Sequence, residues 1–155
     1  MSVQKKARGR ARFAVTVHSW DPTVLSPIGA TVGQSKAEGP GLGLDEGPQM
    51  VAVEGREVYS GDLIGEGQFR FLQSVRADES ANFCGLGRIV GSLLGHAGTF
   101  VLQGAGTVDD GHVEGAWFVV PGSGTDELSG LRGDGRVLGE PGQPATGYLD
   151  IHFER

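Results

Sequence analysis

The sequence predicts an all-β protein whose strands form an antiparallel meander that closes into a barrel. Apolar and polar side chains alternate over short stretches along most of the chain, which is the period of a half-buried strand. Glycine fills 28 of the 155 positions without a triplet period, and this spread is typical of many tight turns. No segment shows a sustained helical period. Since an open antiparallel sheet exposes its edges, closure into a barrel of about seven or eight strands is expected.

The chain begins with a basic segment. Five of the 13 basic residues, from Lys5 to Arg12, lie within the first twelve positions. A charged terminus of this kind is typical of a flexible tail. The predicted organisation is therefore a flexible basic tail over residues 1–11 and one barrel domain over residues 12–155.

The first strand and a long loop follow. In "RFAVTVHSW", Phe13, Val15 and Val17 share one face, as they do in a strand of period two. The stretch from Asp21 to about Gly47 is polar, rich in glycine and proline, and without periodicity. It predicts one long loop, of a length that in compact domains is either functional or disordered.

The later strands are separated by turn-forming residues. In the final run, Leu149 and Ile151 lie on one face, and Tyr148 and Asp150 on the other. The glycine-rich stretch Pro121–Thr125 lacks the lysine and the following helix of a phosphate-binding loop, so it is interpreted as a barrel corner. The strand-like runs are "MVAVEGREVYSGDLIGEGQFRFLQSV" (two strands), "ANFCGLGRIVGSLL", "AGTFVLQGAGTV", "GHVEGAWFVV", "ELSGLRGDGRVL" and "ATGYLDIHFER".

Composition and charge exclude several functions. A net charge of -6 argues against a nucleic-acid binder. No apolar run approaches the ~20 residues of a membrane span, and the apolar core of a secretory signal is missing. The single cysteine, Cys84, cannot form an intramolecular disulfide, and the four histidines are scattered. We therefore expect a cytoplasmic protein with no metal, cofactor, membrane or nucleic-acid partner; homo-oligomer formation stays open.

Five segments in register resemble a known family. They are "FAVTVHSWD", "VYSGDLIGEG", "FCGLGRIVGSL", "GTFVLQGAGT" and "VVPGSGTDELSGLRGDG", together with the closing "YLDIHFE". They resemble the bacterial family known as domain of unknown function 3224. That resemblance implies an allene-oxide-cyclase-like fold, an antiparallel eight-stranded barrel with a central cavity. The wider fold includes plant fatty-acid cyclases and bacterial enzymes that close rings in polyketide-type metabolites.

The chain departs from the family pattern at two strand positions and one loop. Gly87 stands where the family's "GLER" has an acidic residue, and Gly104 stands where a histidine is common. The Asp21–Gly47 loop also looks longer than usual. Two interpretations stay open: a widened cavity beneath a lid-like loop, or drift in a protein that catalyses nothing.

Two charged residues are the candidate catalytic groups. Glu66 lies in the matched segment "SGDLIGEG", and Arg88 lies between the apolar residues Leu86 and Val90. If both point into the barrel, they form a polar floor that moves a proton or stabilises charge. If they point outward, both are ordinary solvated residues.

The candidate ligand-binding residues are mostly large aromatics. Each of them either packs the core or shapes a cavity for a flat, unsaturated molecule. An amide could add a neutral hydrogen bond, although outward placement fits it equally. The set comprises Trp20, Tyr59, Gln103, Trp117 and Tyr148.

The resemblance implies a cofactor-independent cyclase or isomerase that acts on a small hydrophobic, polyketide- or lipid-like metabolite held in the barrel. No standard catalytic signature supports it, since Gly122-Ser123-Gly124 lacks the spacing of a nucleophile elbow. The alternative is a non-catalytic barrel that binds a small ligand or is purely structural.

Overall fold

The computed structural model describes residues 6–25 and 47–154. Consecutive strands are antiparallel neighbours, and the first strand also pairs with the last, so the sheet closes into an eight-stranded barrel. The predicted fold class is confirmed. The strands are β1 (Arg8–Val24), β2 (Gln49–Gly61), β3 (Leu63–Val75), β4 (Ala81–Leu93), β5 (His96–Asp109), β6 (His112–Val119), β7 (Leu131–Gly139) and β8 (Ala145–Phe153).

Alternation along each strand decides which side chains enter the barrel. In β4, Gly85, Gly87 and Ile89 face the interior, whereas Leu86 and Arg88 are exposed on the outer face. This follows from the two-residue period of an extended chain, in which successive Cβ atoms point to opposite faces. One face of each strand therefore builds the interior, and the other meets solvent.

One end of the barrel, here called the closed half, is filled. Large aliphatic side chains and the rings of Phe13 and Phe100 occupy its inward positions, and they are almost inaccessible to solvent. A 3₁₀ turn at Asp126–Leu128 inserts Leu128 as a plug. Burial of these residues is the main source of the barrel's stability, at about 25 cal/mol per Å² of apolar surface. The fully buried residues of the closed half include Leu63, Ile89, Leu93, Phe100, Leu128, Leu131 and Leu149.

The glycine-rich corner Pro121–Thr125 lies between β6 and β7, as predicted. The corner runs beside the first part of β5, which has no partner in β6 because β6 pairs with β5 only from Leu102 onward. The Thr125 hydroxyl accepts the Thr99 N–H at 3.0 Å, and the Ser123 hydroxyl accepts the Val101 N–H at 3.0 Å. These bonds satisfy backbone donors that would otherwise be left at a strand edge.

The opposite end, here called the open half, contains the turns that join β3 to β4, β5 to β6 and β7 to β8. β1 ends and β2 begins at the same end. Its inward positions carry glycines and aromatic rings in place of packed aliphatic chains, so a central space remains. No helix of the described residues is both long and apolar enough to cross a membrane.

The predicted boundary of the N-terminal tail is wrong. β1 begins at Arg8, and residues Arg8 to Val15 pair with the last strand, so the barrel domain starts before residue 12. The Arg10 guanidinium binds both carboxylate oxygens of Asp150, at 2.7 and 2.9 Å, and lies 3.9 Å above the Tyr148 ring. A basic segment becomes a strand because its partner strand supplies both backbone and charge complementarity. Residues 1–5 lie outside the described residues.

The long loop predicted over residues 21–47 is shorter than expected at its start. β1 continues through Val24, and the Leu25 N–H donates to the Met50 carbonyl at 2.8 Å. Most of the predicted loop, residues 26–46, lies outside the described residues.

Candidate functional site

A cavity of about 810 Å³ occupies the open half and communicates with solvent at that end. Every strand of the barrel except β8 contributes several residues to its wall, and the β7–β8 turn contributes to its rim. The wall is predominantly apolar, which is the composition of small-molecule sites in general. A filled interior is thereby excluded for this half of the barrel.

One side of the cavity is a continuous aromatic wall. The Phe69 ring lies 5.9 Å from Trp20 and 4.9 Å from Phe71, and Phe71 lies 5.6 Å from Phe83, all between ring centroids. These spacings are typical of favourable aromatic pairs. The four rings therefore support one another and form a rigid apolar surface.

A β-bulge places Trp20 on that wall. The register between β1 and β2 shifts at His18, so that Val17 faces Glu57 while Trp20 faces Gly55. Without the extra residue, strict alternation from Val17 would turn Trp20 outward. The bulge turns it inward, and the absence of a side chain at Gly55 leaves room for the Phe69 ring.

The floor of the cavity is formed by Tyr59 and Trp117. Phe13 lies beneath both, stacked on Trp117 at 5.5 Å and edge-on to Tyr59 at 5.9 Å. The Trp117 indole N–H donates to the Tyr148 carbonyl at 2.9 Å, and its ring packs over Gly147. These contacts fix the orientation of both rings.

Glycine clears the part of the cavity wall that lies beside the aromatic rings, since Gly87 pairs with Phe69 and Gly85 with Phe71. Gly85, Gly87 and Gly104 all line it. A Cβ added at Gly87 would meet its nearest neighbours, in Gln68 and Phe69, at 3.7 Å. This position therefore has room for a side chain, and because glycine has none, the space is part of the cavity.

Glu57 is the buried acidic residue of the cavity. It lies on β2 and is 9% exposed, and its carboxylate accepts a hydrogen bond from the Tyr59 hydroxyl at 3.2 Å. Burial raises the pKa of Glu57 to about 7, an effect that the Tyr59 hydrogen bond partly offsets. Burial also raises the pKa of Tyr59, as does the nearby Glu57 charge, so Tyr59 stays a hydrogen-bond donor.

Comparison with known proteins identifies the family of the chain and a solved structure of similar fold. The model of the family described as protein of unknown function, DUF3224, matches residues 29–150. The chain belongs to the DUF3224 family. Its fold is similar to the crystal structure of a DUF3224 protein of unknown function from Shewanella oneidensis MR-1. The TM-score is 0.67 and the sequence identity 23%, over 96% of this chain and 97% of that one. No curated protein matches the chain.

Three of the predicted ligand-binding residues of this DUF3224 protein line the cavity. They are Trp20 at the rim and Tyr59 and Trp117 at the floor. Gln103 and Tyr148 are on the outer face, where Gln103 borders a surface groove and Tyr148 lies under Arg10. Strand alternation separates the two sets, because each of these outer residues is an odd number of positions from inward residues of its own strand.

The two predicted catalytic residues lie outside the barrel. Glu66 and Arg88 are exposed, and their neighbours Gly67 and Gly87 face inward in their place. Of the two placements that the sequence left open, the structure shows the outward one, so the polar floor that inward side chains would form is absent from the cavity. Their catalytic role stays a prediction that the geometry does not favour.

Sequence reasoning overlooked Glu57. The signal was present, since Glu57 is two residues from Tyr59 and therefore shares its inward face, together with Val53 and Val51. An acidic residue within an inward series of this kind marks a buried carboxylate. Glu66 drew attention because it lies in a glycine-rich family segment, where the same parity argument places Gly65 and Gly67 inward.

Proposed function

We propose that this DUF3224 protein binds a small, mainly apolar molecule inside the open half of its barrel. The cavity itself carries the proposal: about 810 Å³ of space is kept open inside an otherwise closely packed barrel. Protein interiors pack to nearly crystalline density, so a space of this size sacrifices contact energy. A ligand that fills it recovers those contacts.

Both tryptophans of the chain line the cavity, so intrinsic tryptophan fluorescence reports on its occupancy. The test uses N-phenyl-1-naphthylamine, an uncharged dye that fluoresces in apolar surroundings. We expect saturable dye emission with the wild-type protein, together with energy transfer from tryptophan. The variant Gly87→Phe should weaken binding at least about tenfold, because the new ring enters the cavity.

The matched control is Leu86→Phe. Leu86 is the preceding residue, and its side chain is exposed on the outer face. This variant adds the same ring to the same strand, and it should bind the dye as the wild type does. Absence of saturable binding to the wild type, or equal binding by Gly87→Phe, would contradict the proposal.

A second candidate function is cofactor-independent isomerisation or cyclisation of the bound molecule, with Glu57 as the proton-transferring group. The observation that favours it is a carboxyl group whose pKa lies near 7 within an apolar cavity, where it can both accept and return a proton. The Tyr59 hydroxyl holds this carboxyl group in place.

The conversion of 3-cyclohexenone into 2-cyclohexenone tests this step. A proton leaves C2, the double bond shifts, and a proton returns to C4, so no co-reactant is consumed. We expect the wild type to accelerate the reaction, measured by ultraviolet absorbance, and Glu57→Gln to abolish the acceleration. Glu54→Gln, an exposed carboxylate on the same strand paired with Arg70, should behave as the wild type. Equal rates for the wild type and Glu57→Gln would leave the binding function and contradict catalysis by Glu57.

A further inference from the structure

The charged groups of the cavity are all of one sign. Among the lining residues that the structure describes, Glu57 and Glu140 are acidic, and there is no lysine, arginine or histidine. Glu140 lies at the exposed rim, where His112 contacts its carboxylate at 2.7 Å. Glu57 lies deep, and the contact described for its carboxylate is the neutral Tyr59 hydroxyl. The interior thus offers an anion without a cationic partner from residues 6–25 and 47–154.

The aromatic wall complements this charge. Trp20, Phe69, Phe71 and Phe83 form a connected series of rings around the same space. The faces of aromatic rings carry partial negative charge, and they attract ammonium groups, most strongly where water is excluded. Carboxylate and rings together are the two elements from which proteins build sites for organic cations.

We infer that the ligand of the cavity is an organic cation, an apolar molecule that carries one amine or quaternary ammonium group beside Glu57. This inference rests on the proposed binding function and names the class of molecule bound. The apolar part of the ligand contacts the rings and the glycine-cleared wall, while its charge pairs with the carboxylate. Such pairing offsets the free energy that is lost when a charge is buried without a partner.

The same arrangement disfavours the other charge classes. A ligand carboxylate, as in a fatty acid, would lie against Glu57 with no described cation to offset the repulsion. A neutral ligand leaves Glu57 either ionised and unpaired or protonated. Only a cation allows the carboxylate to be both ionised and paired in the interior.

The environment of Glu57 sets the expected pH dependence. Its partners on the adjacent strands, Val17 on β1 and Gly67 on β3, do not titrate. The titratable groups that face the cavity with it are Tyr59 on its own strand and Glu140 at the rim. Since burial raises the pKa of Glu57 to about 7, the carboxylate forms as the pH rises through neutrality. Cation binding should strengthen over the same range.

The test compares two probes of equal shape that differ in charge: phenyltrimethylammonium and tert-butylbenzene. Binding is measured by intrinsic tryptophan fluorescence at pH 6 and pH 8. We expect the wild type to bind the cation at least about tenfold more tightly than the neutral probe at pH 8, as for one charge-assisted contact. The preference should decrease at pH 6.

Two variants test whether Glu57 causes the preference for the cation. Glu57→Gln should bind the cation at least about tenfold more weakly at pH 8 while retaining the neutral probe, and Glu54→Gln, on the outer face, should match the wild type. Equal affinity of the wild type for both probes, or an unchanged cation affinity in Glu57→Gln, would overturn the inference. If the neutral probes still bind, the proposed binding function survives that result. If neither charged nor neutral probes bind, both proposals fail.

Discussion

The closed and open halves of the barrel are built by the same eight strands and the same alternation, yet one half is solid and the other holds a cavity. In the closed half, inward positions carry large aliphatic side chains that meet across the axis. In the open half, they carry glycines, rings arranged along the wall, and Glu57. The difference lies in the size and chemistry of the inward residues and leaves the backbone architecture unchanged.

This division separates stability from recognition. Side chains that meet in the closed half gain dispersion contacts and remove apolar surface from water. The open half forgoes part of that gain, and it holds an acidic group in an environment that disfavours its charge. Residues of the two halves should therefore respond to substitution in different ways.

The largest expected effect is in the closed half. Phe100→Ala should lower the free energy of unfolding by about 4 kcal/mol, because Phe100 is 1% exposed and its removal leaves a cavity among packed neighbours. Phe83→Ala, in the aromatic wall of the open half, should cost about 1–2 kcal/mol, since that ring already borders open space. Urea denaturation measures both, and equal losses would show that the two halves do not differ in packing.

Glu57, in the open half, should make the free energy of unfolding of the protein depend on pH. Burial raises its pKa to about 7 in the folded protein from an ordinary value of about 4.5, so the unfolded chain loses this proton at lower pH. The contribution of this group to the free energy of unfolding is fully present below about pH 4.5. It is lost as the pH rises to about 7, a decrease of about 3 kcal/mol in total.

Comparison with Glu57→Gln isolates that contribution. The variant should be the more stable protein at pH 8, and the difference between the two should shrink towards pH 4.5. Glu54→Gln, which changes an exposed carboxylate on the same strand, serves as the control. A constant difference between wild type and Glu57→Gln over this range would show that Glu57 is not desolvated.

Two glycines of the barrel should differ in how much their substitution by alanine destabilises the fold. Gly135→Ala should destabilise by about 2 kcal/mol, because its Cβ would overlap the Tyr148 carbonyl of the adjacent strand. Gly87→Ala should change stability by less than about 0.5 kcal/mol, since its Cβ would enter the cavity at ordinary contact distance. Thermal unfolding of the two variants measures the difference. If both prove equally harmful, space at Gly87 is not free.

The smallest effects are expected on the outer face. Glu66→Gln and Arg88→Ala should bind N-phenyl-1-naphthylamine and isomerise 3-cyclohexenone as the wild type does, because both side chains are directed away from the cavity. Fluorescence titration and the absorbance assay measure these properties. A loss of activity with unchanged binding in either variant would restore the catalytic role predicted for these residues.

Much of the fold was predictable, because it depends on local patterns. The alternation of side chains, the glycine-rich turns and the need to hide sheet edges were enough to predict an antiparallel barrel. The inward position of Tyr59 and the corner at Pro121–Thr125 follow from the same patterns. The site was predictable in part, since Trp20, Tyr59 and Trp117, three of the five candidate ligand-binding residues, line the cavity.

The errors arose where the outcome depends on a partner distant in the chain. Arg8 to Ala11 form a strand because the last strand pairs with them, and Asp150 binds Arg10 across almost the whole sequence. Trp20 was chosen for its residue type, but its inward placement depends on a bulge near His18 that shifts the register against β2. Neither long-range pairing nor register shifts can be read from the local period of a single strand.

The sequence by itself determined the strands, their order and the parity that separates inward from outward residues, since these follow from a two-residue period and from turn chemistry. Only the tertiary structure decided that one end would be filled and the other hollow, and that the inward Glu57 would lie in the hollow end. Space and desolvation depend on which side chains meet across the barrel axis. That meeting is created by closure of the sheet, when β1 pairs with β8.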